Sequence, residues 1–455
     1  DEISKEIDNQ KTTYVVTQKG YSSTLKAQII ISNNQVQEFK ILEQNDSFYS
    51  IIEDPITQTI WAATREGIVI TSMDGDLTNA KIYSTYNDGI QQLRFCNNIL
   101  TDKHGNVWIE TLNDGIVHFN TQTSPFSSWR FADNGYSLPV NSVCSVFFDD
   151  NDEVWLSMKP YGIVRIDKAT GMAQFNYDIP GFEQMDHEFM GTSITSIRRH
   201  SNGEIWMANN SYGIAAYRQG KPVRHITVEN SAFLTDNYVN TLMLSRDGAM
   251  WVGQGKGLVV ALSDNSGVEL KLTENGRDFS SCDVRGLSED SKGNIWVATE
   301  DKGIIRIIGN SSVGLSKVIC HRYCPANNNY VVNDATTCLE DSKHRLSAIS
   351  NSGGLFLLDE KNDIFVSVNE RYNIPGDRIF SIIEDQEGSL WLTTDNALIC
   401  FRPDDDKPCT IFGEDDGLSN MLFFPNASCK YNNTLFFACQ TGFSYFDASQ
   451  IKKDK

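Results

Sequence analysis

One short aromatic phrase recurs at a nearly constant spacing along the 455 residues of this chain. Successive copies are 47, 47, 47, 51, 45 and 45 residues apart as far as Trp296. The next copy carries Ser347 in place of an aromatic residue, and two more copies follow at spacings of 44 and 45 residues. The nine aromatic anchors are Tyr14, Trp61, Trp108, Trp155, Trp206, Trp251, Trp296, Trp391 and Phe436. A fixed period in this range is typical of repeat architectures, so the repeat decides the fold prediction.

Each copy of the repeat predicts a group of short β-strands. In residues 284–307 an alternating apolar stretch leads into the polar turn 290–293, and the runs 295–297 and 304–307 follow. Short runs rich in valine, isoleucine and aromatic residues between Gly/Asp turns indicate antiparallel hairpins. A weaker fourth strand follows in some copies, as at 173–177. Four short antiparallel strands in about 40–50 residues predict an all-β fold built from propeller blades.

Small polar residues recur at fixed offsets from the anchor. An aspartate often stands six residues before it, as Asp290 and Asp385 do, and a glycine three residues before it, as Gly293 does. Glycine supports turns with positive φ, and aspartate folds its side chain back onto the turn backbone. Because the anchor recurs in every copy whereas function rarely does, we interpret it as core between neighbouring blades rather than as a ligand-binding residue.

The copies predict two domains. Counting back from Phe436 gives seven units, and the turn-rich run 131–141 precedes a fresh inner strand, so we predict a seven-bladed propeller over 132–455. Residues 1–131 then form the last three blades of a second, truncated propeller. The chain starts with what resembles the tail of an inner strand at residues 3–8, which predicts a fragment of a longer protein. A single ring of nine or ten blades is the alternative.

Composition narrows the classes of partner. The net charge is −20, from 39 basic and 59 acidic residues, which argues against nucleic-acid binding and disfavours anionic membranes. No apolar run approaches the roughly 18 residues that cross a bilayer, and the N-terminus has no signal peptide.

The ten cysteines indicate no metal site. Cys320 and Cys324 are close together, but no further ligands stand at the spacing of a zinc site. Free thiols and a local disulfide both remain open. We expect no metal and no cofactor.

Strand direction predicts which end of a propeller binds a ligand. The loop after strand two and the loop leading to the next blade emerge on one side, and the uniform Asp/Gly turn after strand one emerges on the other. Long variable loops on a rigid scaffold concentrate binding residues, and aromatic platforms with polar neighbours suit sugar rings. Ordinary exposed loop residues are the alternative interpretation. The predicted ligand-binding residues are Tyr161, Tyr212, Arg285, Tyr323, Tyr372 and Arg378.

Catalytic residues form no recognisable constellation. The seven histidines show no metal-ligand spacing, and the chain has no nucleophile elbow and no phosphate-binding loop. His187 beside Glu188 is the nearest candidate acid–base pair, and it is weak. We therefore predict that this chain is not itself an enzyme.

Several phrases resemble a known family. They are SEDSKGNIWVAT (288–299), IIEDQEGSLWLTT (382–394) and TDKHGNVWIETLNDGIVHFN (101–120), and residues 413–451 are similar to that family's final blade. The chain resembles the periplasmic sensor region of hybrid two-component systems in Bacteroidetes-type gut bacteria, which is built from two-component regulator propeller repeats.

The resemblance implies a function. Such a region normally holds two seven-bladed propellers, and a β-sandwich, a membrane helix and a histidine kinase follow it. It is periplasmic, binds an oligosaccharide and controls genes for glycan use. Membrane attachment would come only through segments beyond residue 455, and the full-length protein would be a homodimer. The alternatives are a propeller enzyme similar to streptogramin-type lyases or glycosidases, and a protein-interaction propeller.

Overall fold

A computed structural model gives the structure of the chain. It describes the strands given below up to residue 175, and then residues 193–218, 221–261, 266–308, 318–323, 334–376, 378–395, 397–413, 416, 418, 421–439 and 442–451. The chain divides into two compact units, Asp1–Ser124 and Pro125–Lys455.

The described residues of the first unit form three antiparallel sheets and one two-stranded pair. The first sheet comprises β1 (Glu2–Asp8), β2 (Lys11–Thr17), β3 (Thr24–Ser32) and β4 (Gln35–Glu43), and the second comprises β5 (Phe48–Asp54), β6 (Thr59–Thr64), β7 (Gly67–Ser72) and β8 (Lys81–Tyr83). β9 (Thr85–Tyr86) pairs with β10 (Gln91–Gln92), and the last sheet comprises β11 (Cys96–Thr101), β12 (Asn106–Thr111) and β13 (Gly115–Asn120).

The second unit opens with the short strand β14 (Ser127–Arg130) and continues with sheets that we number 1 to 7 in chain order. Sheet 1 comprises β15 (Ser142–Phe148), β16 (Glu153–Lys159), β17 (Gly162–Asp167) and β18 (Ala173–Phe175), and sheet 2 comprises β19 (Ile194–Arg199), β20 (Ile205–Asn209), β21 (Gly213–Arg218) and β22 (Lys221–Ile226). Sheet 3 comprises β23 (Val239–Leu244), β24 (Met250–Gln254), β25 (Gly257–Ala261) and β26 (Gly267–Glu269), and the separate hairpin β27 (Thr273–Glu274) and β28 (Arg277–Asp278) follows it.

The remaining sheets repeat the same order. Sheet 4 comprises β29 (Val284–Glu289), β30 (Ile295–Thr299), β31 (Gly303–Ile308) and β32 (Ile319–Tyr323), and sheet 5 comprises β33 (Ala335–Glu340), β34 (Leu346–Ser350), β35 (Gly354–Asp359) and β36 (Ile364–Ser367). The short helix α1 (Asn369–Tyr372) leads to sheet 6, which comprises β37 (Ile379–Glu384), β38 (Leu390–Thr394), β39 (Leu398–Phe401) and β40 (Cys409–Phe412). Sheet 7 begins with β41 (Phe423–Tyr431), β42 (Thr434–Cys439) and β43 (Gly442–Asp447), and a 3₁₀ turn (Ala448–Gln450) follows.

The anchor of every copy lies in the second strand of its sheet, which explains its even spacing. Trp206 lies in β20 and pairs with Arg198 of the first strand, and Trp296 lies in β30 and pairs with Ser288. These two anchors pack against the following sheet: Trp206 shares a cluster with Val239 and Leu242 of sheet 3, and Trp296 shares one with Ala335 and Cys338 of sheet 5. The prediction of an all-β propeller architecture is confirmed.

Sheets 1 to 7 form a closed ring. Successive first strands contact each other from β15 to β41, and β15 in turn contacts β41. One apolar cluster fills each interface, and the cluster between sheets 7 and 1 contains Val146 and Leu156 on one side and Ala438 and Phe443 on the other. The seven interfaces therefore share one design, in which apolar side chains pack sheet against sheet.

The ring closes through a strand from its own N-terminal edge. β14 pairs antiparallel with β43 and completes sheet 7 as its outermost strand, with Ser127 opposite Tyr445 and Arg130 opposite Gly442. The predicted boundary near residue 131 falls after this strand, whereas in the structure the strand belongs to the second unit. Pairing of distant chain segments closes the ring, so the boundary lies earlier than the turn-rich run 131–141 indicates.

The interpretation of the anchors as core holds for most of them. Trp155, Trp206, Trp251 and Trp391 are at most 1% exposed, and Trp296 is 3% exposed. Trp108 differs at 44% exposure. It shares a face of sheet β11–β13 with Leu100, while Val107 and Ile109 on the opposite face pack against Trp61 and Ile68. The anchor is buried only where a following sheet covers its face.

Candidate ligand-binding face

One end of the ring carries both the loops that lead into each first strand and the turns between second and third strands. A repeated backbone hydrogen bond joins them: the N–H of Glu300 donates to the Asp283 carbonyl at 2.9 Å, and the N–H of Gly255 donates to the Tyr238 carbonyl at 2.8 Å. We call this end the loop face and the opposite end, with its strand-one to strand-two turns, the turn face. The described starts of the first strands and the second-strand turns thus lie at one end of the ring.

A polar network lies on the loop face between sheets 3 and 4. The Asn240 amide donates to Asp283 Oδ1 at 2.8 Å and to the Val284 carbonyl at 3.0 Å. Arg285 Nη2 donates to Asp283 Oδ2 at 2.8 Å, and its Nε forms an ion pair with Glu300 Oε2 at 3.3 Å. The side chains of Arg285 and Glu300 are 33% and 43% exposed, so solvent and ligands reach both. The network offers donors and acceptors within a few ångströms of each other.

Burial dominates the electrostatics of Asp283. It raises the pKa of that carboxyl group, the guanidinium of Arg285 opposes the rise, and the carboxylates of Glu300 and Asp301 reinforce it. Several acidic groups therefore share one guanidinium at this point. The arrangement suits a ligand that brings hydroxyl groups, because they can donate to carboxylate oxygens without adding negative charge.

An aromatic side chain stands beside this network. Tyr238 directly precedes the first strand of sheet 3 and is 39% exposed. A Cβ at Gly255 would lie 2.8 Å from Tyr238 Cδ1, so the glycine lets the ring lie against the second-strand turn. We did not predict Tyr238, Asn240 or Asp283 from the sequence. Their common signal is their position, just before or at the start of a first strand.

The structure distributes the predicted ligand residues over different environments. Arg285 lies in the network, and Arg378 is exposed just before β37, with its guanidinium 5.4 Å from the Phe380 ring centroid. Tyr212 is partly buried in the second-strand turn of sheet 2, and its carbonyl accepts a hydrogen bond from His225 Nε2 at 2.5 Å. Tyr161 lies outside the described residues. These four stay predictions, and the structure does not bring Arg285 and Arg378 together.

Two other predicted tyrosines contribute to packing. Tyr323 is 8% exposed in the outermost strand of sheet 4, stacks on Trp296 and donates its hydroxyl to Asp363 Oδ1 at 2.7 Å. Burial and that hydrogen bond raise the pKa of Tyr323. Tyr372 ends α1 and packs its ring edge-on against Phe401, with centroids 5.1 Å apart. Their role in ligand binding stays a prediction.

Neither a metal centre nor a membrane helix is found in the described part of the chain. No group of three or more histidine, cysteine, aspartate or glutamate side chains there is arranged to hold a metal ion. No helix among the same residues is long and apolar enough to cross a membrane. Cys320 is a free, buried thiol that donates to the Thr273 carbonyl at 3.0 Å, and Cys324 lies outside the described residues.

Comparison with protein families supports the repeat directly. Residues 278–301 and 373–396 match the two component regulator propeller family. Each match runs from the loop before a first strand through the anchor tryptophan, Trp296 or Trp391. The chain carries two-component regulator propeller repeats. The predicted family resemblance is confirmed.

The chain is also similar to two longer proteins and to one more distant protein fold. The chain is similar to Histidine kinase P4 of Formosa agariphila, with 22% identity over 407 residues, which is 85% of this chain and 28% of that protein. Among solved structures it is similar to the extracellular domain assigned to a hybrid two component system of B. thetaiotaomicron, with a TM-score of 0.66, 18% identity, and coverage of 96% of this chain and 55% of the other. YCF48 from Cyanidioschyzon merolae matches with a TM-score of 0.51 and 12% identity over 72% of this chain and all of its own. The chain thus spans about a quarter of the kinase and half of the extracellular domain.

Proposed function

We propose that this chain is the extracytoplasmic ligand-sensing region of a two-component sensor, and that its loop face binds an oligosaccharide. The observation that carries the proposal is the two-component regulator propeller repeat at residues 278–301 and 373–396, in a chain that is similar to a histidine kinase along 85% of its length. Kinase activity would reside in another part of the full-length protein. In that protein the region would control genes for glycan use, and homodimerisation stays a prediction.

The chemistry of the loop face supports an oligosaccharide. A sugar ring offers an apolar C–H face and a rim of hydroxyl groups. Tyr238 presents an exposed aromatic ring, and Asn240, Asp283, Arg285 and Glu300 present amide, carboxylate and guanidinium groups. Aromatic surface with a few placed polar groups is the usual composition of small-ligand sites.

The sensing mechanism requires a difference in affinity between two states. A ligand shifts an equilibrium only by the difference in its binding free energy to the two states. Each ring interface of the second unit is filled by buried apolar side chains, which makes a change within the ring costly. We therefore expect the signalling change to occur in the arrangement of domains or of protomers. The ring would bind the ligand without changing its own conformation.

A binding screen tests the proposal. The whole chain is incubated with a panel of neutral and acidic oligosaccharides, melting temperatures are recorded, and hits are titrated by calorimetry. A ligand that binds the folded state raises the melting temperature with its concentration. We expect Asp283→Ala to weaken the hit at least tenfold, and Asp404→Ala, a turn-face carboxylate paired with Lys343, to leave it unchanged. Turnover of the hit, or equal effects of both variants, contradicts the proposal.

An exposed apolar face in the first unit favours a second candidate function, protein binding. Leu100, Trp108 and Ile116 are 62%, 44% and 71% exposed, and their pairing places all three on one face of sheet β11–β13. Apolar faces of this kind mark interaction surfaces. Ile116→Lys should abolish complex formation in light scattering or pull-down with a cognate partner, while Val117→Lys, on the buried face, should unfold the unit.

A further inference from the structure

The central channel of the ring is obstructed near the loop face. Asn426, in the first strand of sheet 7, has φ of +54° within an irregular stretch of that strand between Phe423 and Ser428. Its amide reaches across the ring to the carbonyls of Thr336 in sheet 5, at 2.9 Å, and of Arg285 in sheet 4, at 3.3 Å. Both carbonyls belong to the second residue of a first strand, so the obstruction lies at the loop-face end of the channel.

A cationic side chain lies further along the same channel. Arg198 is the fifth of the six residues of β19, towards the turn face. β19 begins sheet 2 and contacts the first strands of both neighbouring sheets, so it lies beside the channel and Arg198 lies at the channel wall. Burial raises the pKa of the Cys429 thiol of β41 and the charge of Arg198 lowers it, which agrees with this placement because sheet 1 stands between sheets 2 and 7.

No carboxylate neutralises this guanidinium within the described residues. Its recorded hydrogen bond runs from Nη1 to the carbonyl of the preceding residue, Ile197, at 2.7 Å. Burial lowers the pKa of Arg198, and the side chain is only partly exposed. A guanidinium partly withdrawn from solvent without a counter-charge is unfavourable, because its charge loses hydration that no ionic partner replaces. The Arg198 side chain thus lacks an electrostatic complement.

The described residues at the same height along the channel as Arg198 are mainly apolar. One of them has a hydroxyl group without a hydrogen-bond partner. In each sheet, the first-strand residue that pairs with the anchor lies at the same height along the channel as Arg198. In sheet 4 that residue is Ser288. The Ser288 hydroxyl is buried and has no hydrogen-bond partner. The other residues at this level are Phe147, Met243, Leu339, Ile383 and Cys429. A guanidinium without a carboxylate partner and a hydroxyl without a hydrogen-bond partner thus lie at one level of the channel among apolar residues.

We propose that the channel between the Asn426 obstruction and the turn face is an oxyanion site, in which the Arg198 guanidinium binds a carboxylate or sulfate group and the Ser288 hydroxyl donates to it. Guanidinium groups hold oxyanions through two parallel N–H donors, and the apolar level around Arg198 strengthens that attraction. The group belongs either to a free anion or to an acidic oligosaccharide that enters from the turn face. The site stands independently of sugar binding on the loop face.

The probes are inorganic sulfate, and digalacturonate with its neutral methyl ester as control. Melting temperatures of the whole chain are measured in sodium sulfate and in sodium chloride of equal ionic strength, and dissociation constants are measured by calorimetry. We expect sulfate to raise the melting temperature beyond chloride in the wild type. Arg198→Met should lose this difference and weaken sulfate binding at least tenfold, whereas Arg246→Met, which alters an exposed arginine on the turn face, should retain both.

A digalacturonate response that the ester lacks assigns the group to an oligosaccharide, and a response to sulfate alone assigns it to a free anion.

Two further readouts keep the test decisive. Without sulfate, Arg198→Met should melt at or above the wild-type temperature, because it removes a charge that no carboxylate of the described residues neutralises. If that variant does not fold, Arg198→Lys keeps the charge but loses the two-pronged donor geometry, and it must bind sulfate more weakly than wild type. Equal sulfate responses in wild type and either Arg198 variant, or no wild-type response beyond chloride, overturns the proposal.

Discussion

The indole N–H of a buried anchor tryptophan needs an acceptor, and this chain supplies one in several ways. Asp290 Oδ2 accepts from Trp296 Nε1 at 2.9 Å, and Asp385 Oδ2 accepts from Trp391 Nε1 at 2.8 Å. Glu204 Oε2 serves Trp206 at 2.9 Å, in a sheet where His200 replaces the aspartate. The aspartate six residues before the anchor thus has a second task besides ordering its turn.

The copy without an aromatic anchor keeps this aspartate and gives it another donor. Asp341 accepts from Arg345 Nε at 2.6 Å, and its other oxygen accepts the backbone N–H groups of Lys343 and Arg345. Ser347 at the anchor position is fully buried. An arginine from the turn therefore replaces the indole as the donor to the aspartate.

Replacing Asp290 with asparagine should destabilise the second unit by about 2 kcal/mol. The amide would place a donor where Oδ2 now accepts from Trp296 and from the Asn294 side chain. Urea unfolding monitored by tryptophan fluorescence measures the loss. Asp405→Asn, an exposed carboxylate in the loop between β39 and β40, is the matched control and should change stability by less than about 0.5 kcal/mol.

Wild type and the Asp290→Asn variant should also differ in how their stability depends on pH. Burial alone would raise the pKa of Asp290, but hydrogen bonds from Asn294 and Trp296 outweigh it and hold the pKa below its ordinary value of 3.8. A carboxyl group with a lowered pKa in the folded state stabilises that state above the unfolded pKa and loses the contribution as pH falls through the folded pKa. The stability gap between wild type and Asp290→Asn should hold from pH 7 to 5 and shrink below about pH 4. A gap that widens on acidification contradicts this account.

His344 occupies a turn position where five other copies have glycine, among them Gly293 and Gly388. Its φ is +62°, close to the +82° of Gly293 and the +81° of Gly388 at the same offset from their anchors. A side chain in the left-handed region costs about 1 kcal/mol, and the ion pair of His344 with Glu340 spans 3.5 Å at an exposed site. His344→Gly should therefore raise the free energy of unfolding by about 1 kcal/mol. Lys343→Gly, one residue earlier, should lower it.

At the scale of the elements, β14 decides whether the ring is closed. It is the outer strand of sheet 7 and arrives from more than 300 residues away in sequence, so closure depends on a backbone ladder rather than on a covalent link. Neighbouring residues of an edge strand alternate between an N–H directed at the partner strand and one directed outwards. The position of each N–H therefore determines what a proline does there.

Proline at 127 and at 128 should have unequal effects. One of Ser127→Pro and Ser128→Pro removes a ladder hydrogen bond to β43, and the other removes an outward N–H. The first should lower the melting temperature by about 1–2 °C more than the second, which is the shift that about 1 kcal/mol produces in a unit of this size. Equal and negligible effects in both variants would show that β14 does not close the ring.

The sequence predicts local elements better than long-range pairing. The strands, turns and anchors follow from a period and from offsets of a few residues, and the structure places them as predicted. No local sequence pattern indicates that β14 pairs with β43. The turn-rich run 131–141 therefore led to a predicted boundary that falls after β14. Trp108 shows the same limit, because its burial depends on a neighbouring sheet and not on its own phrase.

The candidate site is only partly readable from the sequence for the same reason. Arg285 was predicted because it lies near the mouth of the central channel, but the network around it also needs Glu300 from the next turn of sheet 4 and Asn240 from sheet 3, which bonds to Asp283. Tyr323 has the residue type of a loop aromatic, yet the fourth strand of sheet 4 turns it onto Trp296. Residue type and loop length predict which end of the ring is the loop face. Only the register of the strands shows which side chains are exposed on that face.

At the scale of the molecule, the second unit is a ring whose two ends differ in chemistry. The turn face repeats one aspartate-centred turn in sheets 4, 5 and 6, whereas the described parts of the loop face carry different side chains from sheet to sheet. We propose that the turn-face end holds the ring together and that the loop-face end binds a saccharide. Hydrogen–deuterium exchange with and without the oligosaccharide found by screening tests it most directly.

Exchange is followed peptide by peptide over the whole chain at saturating ligand. The account predicts slower exchange in residues 236–240, 283–285 and 300–302 on the loop face, with no change in the turns 290–294, 341–345 and 385–389. Protection confined to those turns, or spread equally over both ends of the ring, would contradict it.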